Sequence, residues 1–279
     1  YLTQVDSKRQ ALLAYLTREG GLASVASRLQ GPHMTANVLQ FLCRTDNFGL
    51  LLHDAESGAT AAIDVPEASP YLAALAKRGW TLTDILVTHR HGDHIEGIPE
   101  LRAQFPQAKL HVPAAEAERI EAVTGKAHAH LREGDGVRVG SLAGSVIETP
   151  GHTLGHIAYH FAKEHLLFAG DTLFSLGCGR VFEGTMEQMW NSLCKLAALP
   201  PETRLWCGHE YTQANGRFAL DTDPDNADLQ MRMKEVDALR TQGAFTLPVT
   251  LKQELATNPF LRAGNVATFT DLRERKNKA

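Results

Sequence analysis

Short runs of apolar and β-branched residues, separated by Asp, Asn and Gly, make up most of the chain from about residue 35 onwards. Runs with such boundaries predict β-strands joined by turns. Two neighbouring pairs are expected, GVRVG with SVIET and HIAYHF with HLLFAG. The full set of predicted strands is VLQFLC, GLLLHD, TAAID, DILVT, KLHV, GVRVG, SVIET, HIAYHF, HLLFAG and TRLWC.

Apolar residues at helical spacing predict helices between these strands. The segment ASPYLAALAKRGW opens with Ser-Pro, which suits a helix start. Other helices are predicted at 98–105 and 114–122, and in TMEQMWNSLCKLAAL. After about residue 210 the strand signals fade, and the predicted helices there are 227–240, 250–255 and 267–276. The pattern therefore predicts an α/β catalytic body over residues 34–209, followed by a helical substrate-binding domain over residues 210–279.

The first 33 residues differ from the rest of the chain. They combine a helical pattern with Gly20-Gly21 and end in LQGPHM, which is similar to a protease site with a cloning scar. We expect residues 1–33 to be an expression tag, with a genuine helical extension as the alternative. The segment lacks the basic region and continuous apolar core of a secretory signal.

Composition narrows the functional classes. Of the 279 residues, 43% are hydrophobic and 22% are charged, which is typical of a globular protein, and the net charge is −4. Nothing in that charge indicates nucleic-acid binding. No apolar run approaches the roughly 18 residues that a membrane span needs. The four scattered cysteines favour free thiols. We therefore expect a cytoplasmic protein, either a monomer or a weak oligomer.

Four predicted strands each end at a side chain that can bind a metal. DILVT ends at His89, SVIET ends shortly before His152, HLLFAG ends at Asp171, and TRLWC ends shortly before His209. In open α/β sheets, functional groups collect where strands end and loops begin. A buried, uncompensated carboxylate at Asp171 would be costly, and metal ions that share it would remove that cost.

The first of these strand ends begins the segment THRHGDHIEG. His89 and His91 are two residues apart and can converge on one ion, whereas the adjacent Asp93 and His94 point differently and suit a second ion. Gly92 allows the sharp turn that this requires. Imidazole nitrogen and carboxylate oxygen are the usual ligands of zinc and similar divalent metals. A single histidine is more often a surface or core residue, but HxHxDH as a unit predicts metal binding.

The remaining histidines lack such a context. His156 is predicted to pack or hydrogen-bond near the site rather than to bind metal. No metal role is predicted for His53, His111, His128, His130, His160 and His165.

The motifs resemble those of the metallo-β-lactamase fold superfamily, whose pattern is HxHxDH followed by a distant His, Asp and His. Within it, the chain is most similar to the hydroxyacylglutathione hydrolase family (glyoxalase II), from about Met34 to the C-terminus. The segments that carry the resemblance are TDNFG, THRHGDHIEG, TPGHTLGH, GDTLFSLGCGRVFEG, CGHEYT and NPFLR. The resemblance implies a four-layer αβ/βα sandwich, in which two mixed sheets face each other with helices outside.

The resemblance also implies a set of ligands for two divalent ions, expected to be zinc, with iron or manganese as alternatives. Three residues would hold the first ion, three the second, and one would bridge them. These are His89, His91 and His152 for the first ion, Asp93, His94 and His209 for the second, and Asp171 as the bridge.

The implied reaction is hydrolysis of S-(2-hydroxyacyl)glutathione thioesters, such as S-D-lactoylglutathione to D-lactate and glutathione, the second step of methylglyoxal detoxification. Two ions about 3.5–4 Å apart can activate a shared water as hydroxide, which would attack the thioester carbonyl. Asp93 would orient that hydroxide, and Asp171 would hold both ions. The leaving thiol has a pKa near 8.5, so no strong general acid is needed.

A basic C-terminal segment, LRERKNKA, offers a site for anionic glutathione. Arg273 and Lys276 share a helix face because they are three residues apart, and the resemblance implies that they bind the glycine carboxylate. The alternative is a frayed, solubilising tail. The resemblance also implies that Arg180 and Tyr211 contact glutathione. Arg180 stands where others have lysine, and Phe182 stands where some have tyrosine, so one hydroxyl contact is expected to be missing.

Other enzymatic functions are compatible with the metal motif. A lactonase or a broad thioesterase would need the same metals but not the basic pair, and a persulfide dioxygenase would need a single iron. A β-lactamase is disfavoured because Asp171 stands where that group has cysteine or another residue. A binding scaffold without activity is disfavoured because all seven expected ligands are present.

Overall fold

The computed structural model describes residues 36–279, so the predicted tag at 1–33 lies outside the described residues. The strands of the described part are β1 (Ala36–Cys43), β2 (Asn47–Asp54), β3 (Ala59–Ile63), β4 (Thr81–Leu86), β5 (Lys109–Pro113), β6 (Ala129–Leu131), β7 (Gly136–Val139), β8 (Leu142–Glu148), β9 (Ile157–Phe161), β10 (Leu166–Phe168), β11 (Leu173–Phe174), β12 (Gly177–Cys178), β13 (Arg204–Trp206) and β14 (Val249–Thr250).

Nine α-helices occur in the described part, together with a 3₁₀ turn at Ala114–Glu116. The α-helices are α1 (Ala68–Arg78), α2 (Gly92–Ile95), α3 (Ile98–Gln104), α4 (Ala117–Thr124), α5 (Met186–Ala197), α6 (Thr212–Thr222), α7 (Ala227–Thr241), α8 (Leu251–Thr257) and α9 (Val266–Lys278). None of the described helices is both long enough and apolar enough to cross a membrane.

The strands form two six-stranded sheets and one small hairpin. Sheet 1 has the order β1-β2-β3-β4-β5-β6, antiparallel from β1 to β3 and parallel from β3 to β6. Sheet 2 has the order β14-β13-β10-β9-β8-β7, in which only β10 and β13 are parallel. Strands β11 and β12 form the separate hairpin. Both predicted strand pairs, β7 with β8 and β9 with β10, are confirmed.

Alternation along the strands of sheet 1 divides the hydrophobic residues between two cores. Successive side chains of a strand point to opposite faces. Leu50, Leu52 and Ile63 accordingly lie in a cluster with the residues of sheet 2, whereas Leu51 and Ala62 lie in a second cluster with α1, α3 and α4. Sheet 1 is therefore covered by sheet 2 on one face and by helices on the other.

Helices also cover sheet 2. Met189 and Leu193 of α5, with Phe269 of α9, are fully buried in the cluster that contains the strands of sheet 2. Helices outside two facing sheets confirm the predicted α/β sandwich, and α6 to α9 confirm the predicted helical C-terminal region.

Two elements after residue 210 were not predicted. Helix α6 has the sequence TQANGRFALDT, and its buried positions include Asn215 and Gly216. Because small and polar residues fill part of its inner face, the apolar spacing that identifies a helix is weak. Strand β14 has only two residues, too few for an alternating pattern, and it forms through pairing with β13.

The hairpin β11–β12 is held by two buried side chains of the C-terminal region. Glu254 accepts hydrogen bonds from the Ser175 hydroxyl at 2.9 Å and from the Leu176 N–H at 2.8 Å. Asn258 donates to the carbonyl oxygens of Phe174 at 3.2 Å and of Gly177 at 3.0 Å. Leu176 has a φ of 58°, a conformation that L-residues adopt at a cost. These bonds keep the hairpin in a fixed place beside the end of sheet 2.

The Tyr71 hydroxyl connects helix α1 to the end of strand β3, and its contribution to stability can be measured. Its fully buried hydroxyl accepts from the Leu50 N–H at 3.1 Å and donates to the Asp64 carbonyl at 2.8 Å. We predict that Tyr71→Phe lowers the free energy of unfolding by about 1–3 kcal/mol, because two buried backbone groups lose a partner. Urea unfolding of the metal-free protein measures this. Tyr211→Phe, which alters a partly exposed tyrosine, is the control. Equal unfolding midpoints of the Tyr71→Phe variant and the parent chain would contradict the prediction.

Candidate metal centre

The four predicted strand ends meet at one edge of the sandwich. His89 and His91 follow β4, and Asp93 and His94 lie on the short helix α2 that comes next. The other three candidates lie on neighbouring strand ends of sheet 2. His152 lies between β8 and β9, Asp171 lies after β10, and His209 lies after β13.

Three imidazoles converge on one point. The Nδ1 atom of His91 is 3.0 Å from His89 Nε2 and 3.0 Å from His152 Nε2. One nitrogen from each of the three residues lies within 4.8 Å of the others. A single N–H can be directed at only one of two neighbours, so a shared cation satisfies this triangle better than hydrogen bonds do.

A second group lies beside the first. His209 Nε2 is 3.4 Å from Asp93 Oδ2, and His94 Nε2 is 3.7 Å from the same oxygen. One ligand atom from each of these three residues lies within 4.8 Å of the others. The HxHxDH motif therefore contributes to both groups.

Asp171 lies between the two groups. Its Oδ2 atom is 3.4 Å from His152 Nε2 and 3.4 Å from His209 Nε2, and its Oδ1 atom is 3.6 Å from His94 Nε2. One carboxylate thus faces one histidine of the first group and two of the second.

Two buried atoms in this region test whether the residues fit metal ions. Asp171 Oδ1 and His94 Nε2 are buried and have no hydrogen-bond partner among the described residues. Buried polar atoms are almost always paired, because desolvation without a partner is costly. A divalent cation between these atoms removes that cost, so the donor set fits the expected metals.

Four of the five clustered histidines are oriented by a partner at their outer nitrogen. His94 Nδ1 is 2.9 Å from Asp64 Oδ2, and His209 Nδ1 is 2.9 Å from Asp46 Oδ1. The other two outer contacts are His89 Nδ1 to Thr88 Oγ1 at 3.0 Å and His152 Nδ1 to the Arg180 carbonyl at 2.9 Å. Such partners fix the ring orientation and raise the basicity of metal ligands.

Sequence reasoning missed the supporting residues Asp46, Asn47 and Asp64. Asp64 follows strand β3, so the strand-end rule that identified Asp171 could have identified it as well. It also accepts from the Thr88 N–H at 2.7 Å and from the Thr88 hydroxyl at 2.8 Å. Asn47 donates to Asp93 Oδ2 at 3.1 Å.

The charges of the metal-free site are strongly coupled. Burial by itself lowers the pKa of His94 and His209, but the Asp171 carboxylate outweighs it: the pKa of His94 lies well above its usual value, and that of His209 rises to about 10. Burial likewise raises the pKa of Asp171, yet His94 and His209 hold it well below its usual value. These two histidines therefore carry protons at neutral pH, and metal binding must displace them.

A pocket of about 510 Å³ opens above the clustered side chains. Its lining includes His91, Asp93, His152, Asp171 and His209. All five residues predicted to contact substrate line the same pocket, namely Arg180, Phe182, Tyr211, Arg273 and Lys276.

Two aromatic rings lie against the clustered histidines. The Tyr211 ring stacks on His209, with centroids 4.6 Å apart and an interplanar angle of 7°. Phe182, which is 59% exposed, packs edge-on against His91 and His152 with centroid distances of 6.0 and 5.3 Å. Both rings also line the pocket.

The basic C-terminal segment packs as part of helix α9. Arg273 is only 5% exposed and donates to the Cys178 carbonyl at 2.8 Å, with its guanidinium 5.2 Å from the Phe260 ring centroid. Lys276 Nζ donates to the Ala214 carbonyl at 3.1 Å. The alternative of a frayed tail is therefore wrong.

The prediction that His156 hydrogen-bonds near the site is confirmed, because its Nε2 accepts from the Asp171 N–H at 3.0 Å. None of the other six histidines named above belongs to a metal-competent group within the described residues. His111, for example, pairs with Asp84 at 2.9 Å.

Comparison with known proteins gives two matching family models. Residues 50–209 match the model described as the metallo-β-lactamase superfamily, and residues 210–279 match the model described as the hydroxyacylglutathione hydrolase C-terminus. A hydroxyacylglutathione hydrolase of Rhodopseudomonas palustris (strain BisA53) is 52% identical over 260 residues, covering 88% of this chain and 100% of the relative. A hydroxyacylglutathione hydrolase of Nitrobacter winogradskyi is 48% identical over 262 residues, with the same coverage.

Solved structures show the same architecture. ETHE1 from Myxococcus xanthus superposes with a TM-score of 0.65 and 27% identity, covering 86% of this chain and 91% of that one. The B3 metallo-β-lactamase BLEG-1 superposes with a TM-score of 0.61 and 23% identity, covering 80% and 99%. The second similarity concerns the fold alone.

Removing the Asp171 carboxylate tests its place between the two groups. We predict that Asp171→Ala binds at most one divalent ion per chain, where the parent chain binds two, because the first and second groups lose their shared oxygen ligands. Metal content is measured by mass spectrometry after removal of free metal. Asp84→Ala, which alters another buried aspartate, is the matched control. Two ions in the Asp171 variant, together with full turnover, would rule out a bridging carboxylate.

Proposed function

Because the chain belongs to the hydroxyacylglutathione hydrolase family of the metallo-β-lactamase superfamily, we propose that it is a metal-dependent thioester hydrolase acting on S-(2-hydroxyacyl)glutathione. One observation carries the proposal: five of the seven candidate metal ligands line a pocket that is also lined by the basic residues Arg180, Arg273 and Lys276. The first feature suits hydrolysis, and the second suits an anionic tripeptide.

We propose zinc as the metal, with the seven ligands assigned as in the family. Mixed imidazole and carboxylate donors suit zinc, although iron and manganese accept the same set. When bound, two such ions would lower the pKa of a water molecule toward neutrality and would polarise the thioester carbonyl. The protein's contribution is to hold the donors rigidly through the outer contacts of Asp64, Asp46 and Thr88.

Asp93 is proposed to orient the attacking water. Its carboxylate is fixed by Asn47 Nδ2, which is 3.1 Å from both the Oδ2 atom and the main-chain oxygen of Asp93. The pKa of Asp93 lies well below its usual value: burial raises it, but a hydrogen bond from His209 and the charge of His94 outweigh burial. The group is therefore ionised and accepts a hydrogen bond from water at neutral pH.

A thiolate nucleophile from the protein is disfavoured. Cys178 lines the pocket, but burial raises the pKa of its thiol to about 11. Burial also raises the pKa of Cys207 far above the usual range. Both thiols therefore stay protonated at neutral pH and react poorly, which favours direct attack by water.

All four cysteines are free, which supports the proposed cytoplasmic location.

Residues 210–279 are proposed to bind the glutathione part of the substrate. They supply Tyr211, Arg273 and Lys276 to the pocket. Burial lowers the pKa of Lys276, and the neighbouring charges of Arg273 and Arg217 lower it further. A substrate carboxylate at this place relieves the repulsion among these cations. We propose that Arg273 and Lys276 take the glycine carboxylate, while Arg180 and Tyr211 contact the peptide.

The main alternatives share the sandwich but differ in chemistry. The similarity to ETHE1 is the observation that keeps a single-iron persulfide dioxygenase as the second candidate. The complete second group of Asp93, His94 and His209 argues against it. A lactonase or broad thioesterase leaves the basic side of the pocket without a role.

The decisive experiment is steady-state hydrolysis of S-D-lactoylglutathione, followed by loss of the thioester absorbance, with metal content measured on the same sample. We expect turnover that scales with loading up to two ions per chain. Parallel assays use an acyl-homoserine lactone and oxygen uptake with glutathione persulfide. Preferred turnover of the lactone, or oxygen uptake with one iron per chain, would overturn the proposal.

Lys276 tests the proposed carboxylate contact. We predict that Lys276→Met raises KM for S-D-lactoylglutathione by about tenfold, the effect of losing one charge-assisted hydrogen bond. The kcat should change by less than about twofold, because the contact is remote from the reacting carbonyl and acts equally in the ground and transition states. Lys278→Met, which alters an exposed lysine of the same helix, is the matched control. An unchanged KM, or an equal effect of both variants, would contradict the assignment.

A further inference from the structure

His156 is buried beside the metal centre but belongs to none of the three metal-competent groups in the described part of the chain. It directly precedes strand β9, and its main chain is held from two sides. The His156 carbonyl accepts from the Thr149 N–H at 2.8 Å, and the following Ile157 N–H donates to the Thr88 carbonyl at 3.0 Å. The residue therefore stands where the end of sheet 2 meets the loop that carries His89.

The hydrogen bonds of the ring define its tautomer. The Asp171 N–H points at His156 Nε2 at 3.0 Å, and because an amide N–H can only donate, Nε2 must be unprotonated. In the neutral ring the proton is then on Nδ1. Thr149 Oγ1 at 2.8 Å and Thr172 Oγ1 at 3.1 Å are the acceptors that receive it. Every polar atom of the ring is thereby used.

The same ring supports a proposed metal ligand. It stacks on the imidazole of His89, with centroids 4.9 Å apart and planes inclined by 29°. Gly170 makes room for this arrangement, because a Cβ atom at that position would lie 2.7 Å from His156 Nε2. One side chain thus contacts both His89, from the first group, and Asp171, which lies between the groups.

We propose that His156 is a positioning residue that sets the place of the bridging Asp171 relative to His89. The inference rests on the proposed two-metal centre. A role as an additional ligand does not fit, since the nitrogen that faces the centre is already occupied by the Asp171 N–H. The residue acts through the Asp171 main chain, so its loss should affect the metal ion that depends most on the bridge.

Two substitutions of His156 distinguish the role of Nε2 from that of Nδ1. The Gln side chain can place its carbonyl oxygen near the position of Nε2, so His156→Gln can still accept from the Asp171 N–H. The shorter Asn side chain places its amide near the position of Nδ1, so His156→Asn can still donate to Thr149 but cannot reach Asp171. If the hydrogen bond from the Asp171 N–H positions the bridge, the Gln variant should retain more zinc than the Asn variant.

The measurement is zinc retained per chain during titration with a competing chelator, so it does not depend on activity. We expect His156→Asn to lose its more weakly held ion at about tenfold lower chelator concentration than the parent chain, the usual scale for losing a partner of a metal ligand. We expect His156→Gln to stay within about threefold. In the cobalt-substituted proteins, the visible absorption bands of the Asn variant should shift more than those of the Gln variant.

Equal retention in the Asn variant and the parent, or equal losses in both variants, would overturn the inference alone. A parent chain that holds fewer than two ions would overturn the dinuclear proposal and this inference with it. Circular dichroism of the parent chain and of both His156 variants, each without metal, checks that the variants are folded.

If either His156 variant is unfolded, the hydroxyl partners provide the test. The pair Thr149→Val with Thr172→Val removes both acceptors of the Nδ1 proton, whereas Thr149→Ser with Thr172→Ser keeps them. Weaker zinc retention in the valine pair, with recovery in the serine pair, supports the positioning role. Equal retention in the two pairs contradicts it.

Discussion

The buried carboxylate of Asp171 is the group on which the arrangement of this site depends. A charge removed from water must be compensated by opposite charge or by several hydrogen bonds. Here the compensation comes from both sheets, because His94 follows a strand of sheet 1, whereas His152 and His209 follow strands of sheet 2. The carboxylate therefore joins the two halves of the sandwich, and the same set of donors gives the site its capacity for metal ions.

The histidines around this carboxylate are held in place by hydrogen bonds from their outer nitrogens to other residues. Asp64 is held by the Thr88 main chain and side chain, and it in turn holds the ring of His94. Metal-free, His94 and His209 balance the negative charge of Asp171 with their protons. Metal ions would replace the protons on the nitrogens that face Asp171, and the outer nitrogens of His94 and His209 would keep their contacts with Asp64 and Asp46.

The sequence predicts the metal candidates better than their supports. A strand end is a local feature, so His89, His152 and Asp171 could be located from the runs that precede them. Asp46 supports His209 from 163 positions away, and that pairing exists only once the sheets are assembled. Helix α6 was not predicted because its buried face is partly polar, so it lacks the apolar spacing typical of a helix.

Chemistry and specificity are carried by different parts of the chain. The sandwich provides the metal candidates, whereas the Arg and Lys side chains among the described residues that line the pocket are Arg180, Arg273 and Lys276. Helix α9 provides Arg273 and Lys276, and the hairpin β11–β12, which Glu254 and Asn258 hold, leads directly to Arg180. Arg273 then bonds the carbonyl of Cys178 at the end of that hairpin. Because the C-terminal region supplies two of these cations and holds the hairpin that precedes the third, changes in that region can alter the accepted substrate while the metal donors stay in place.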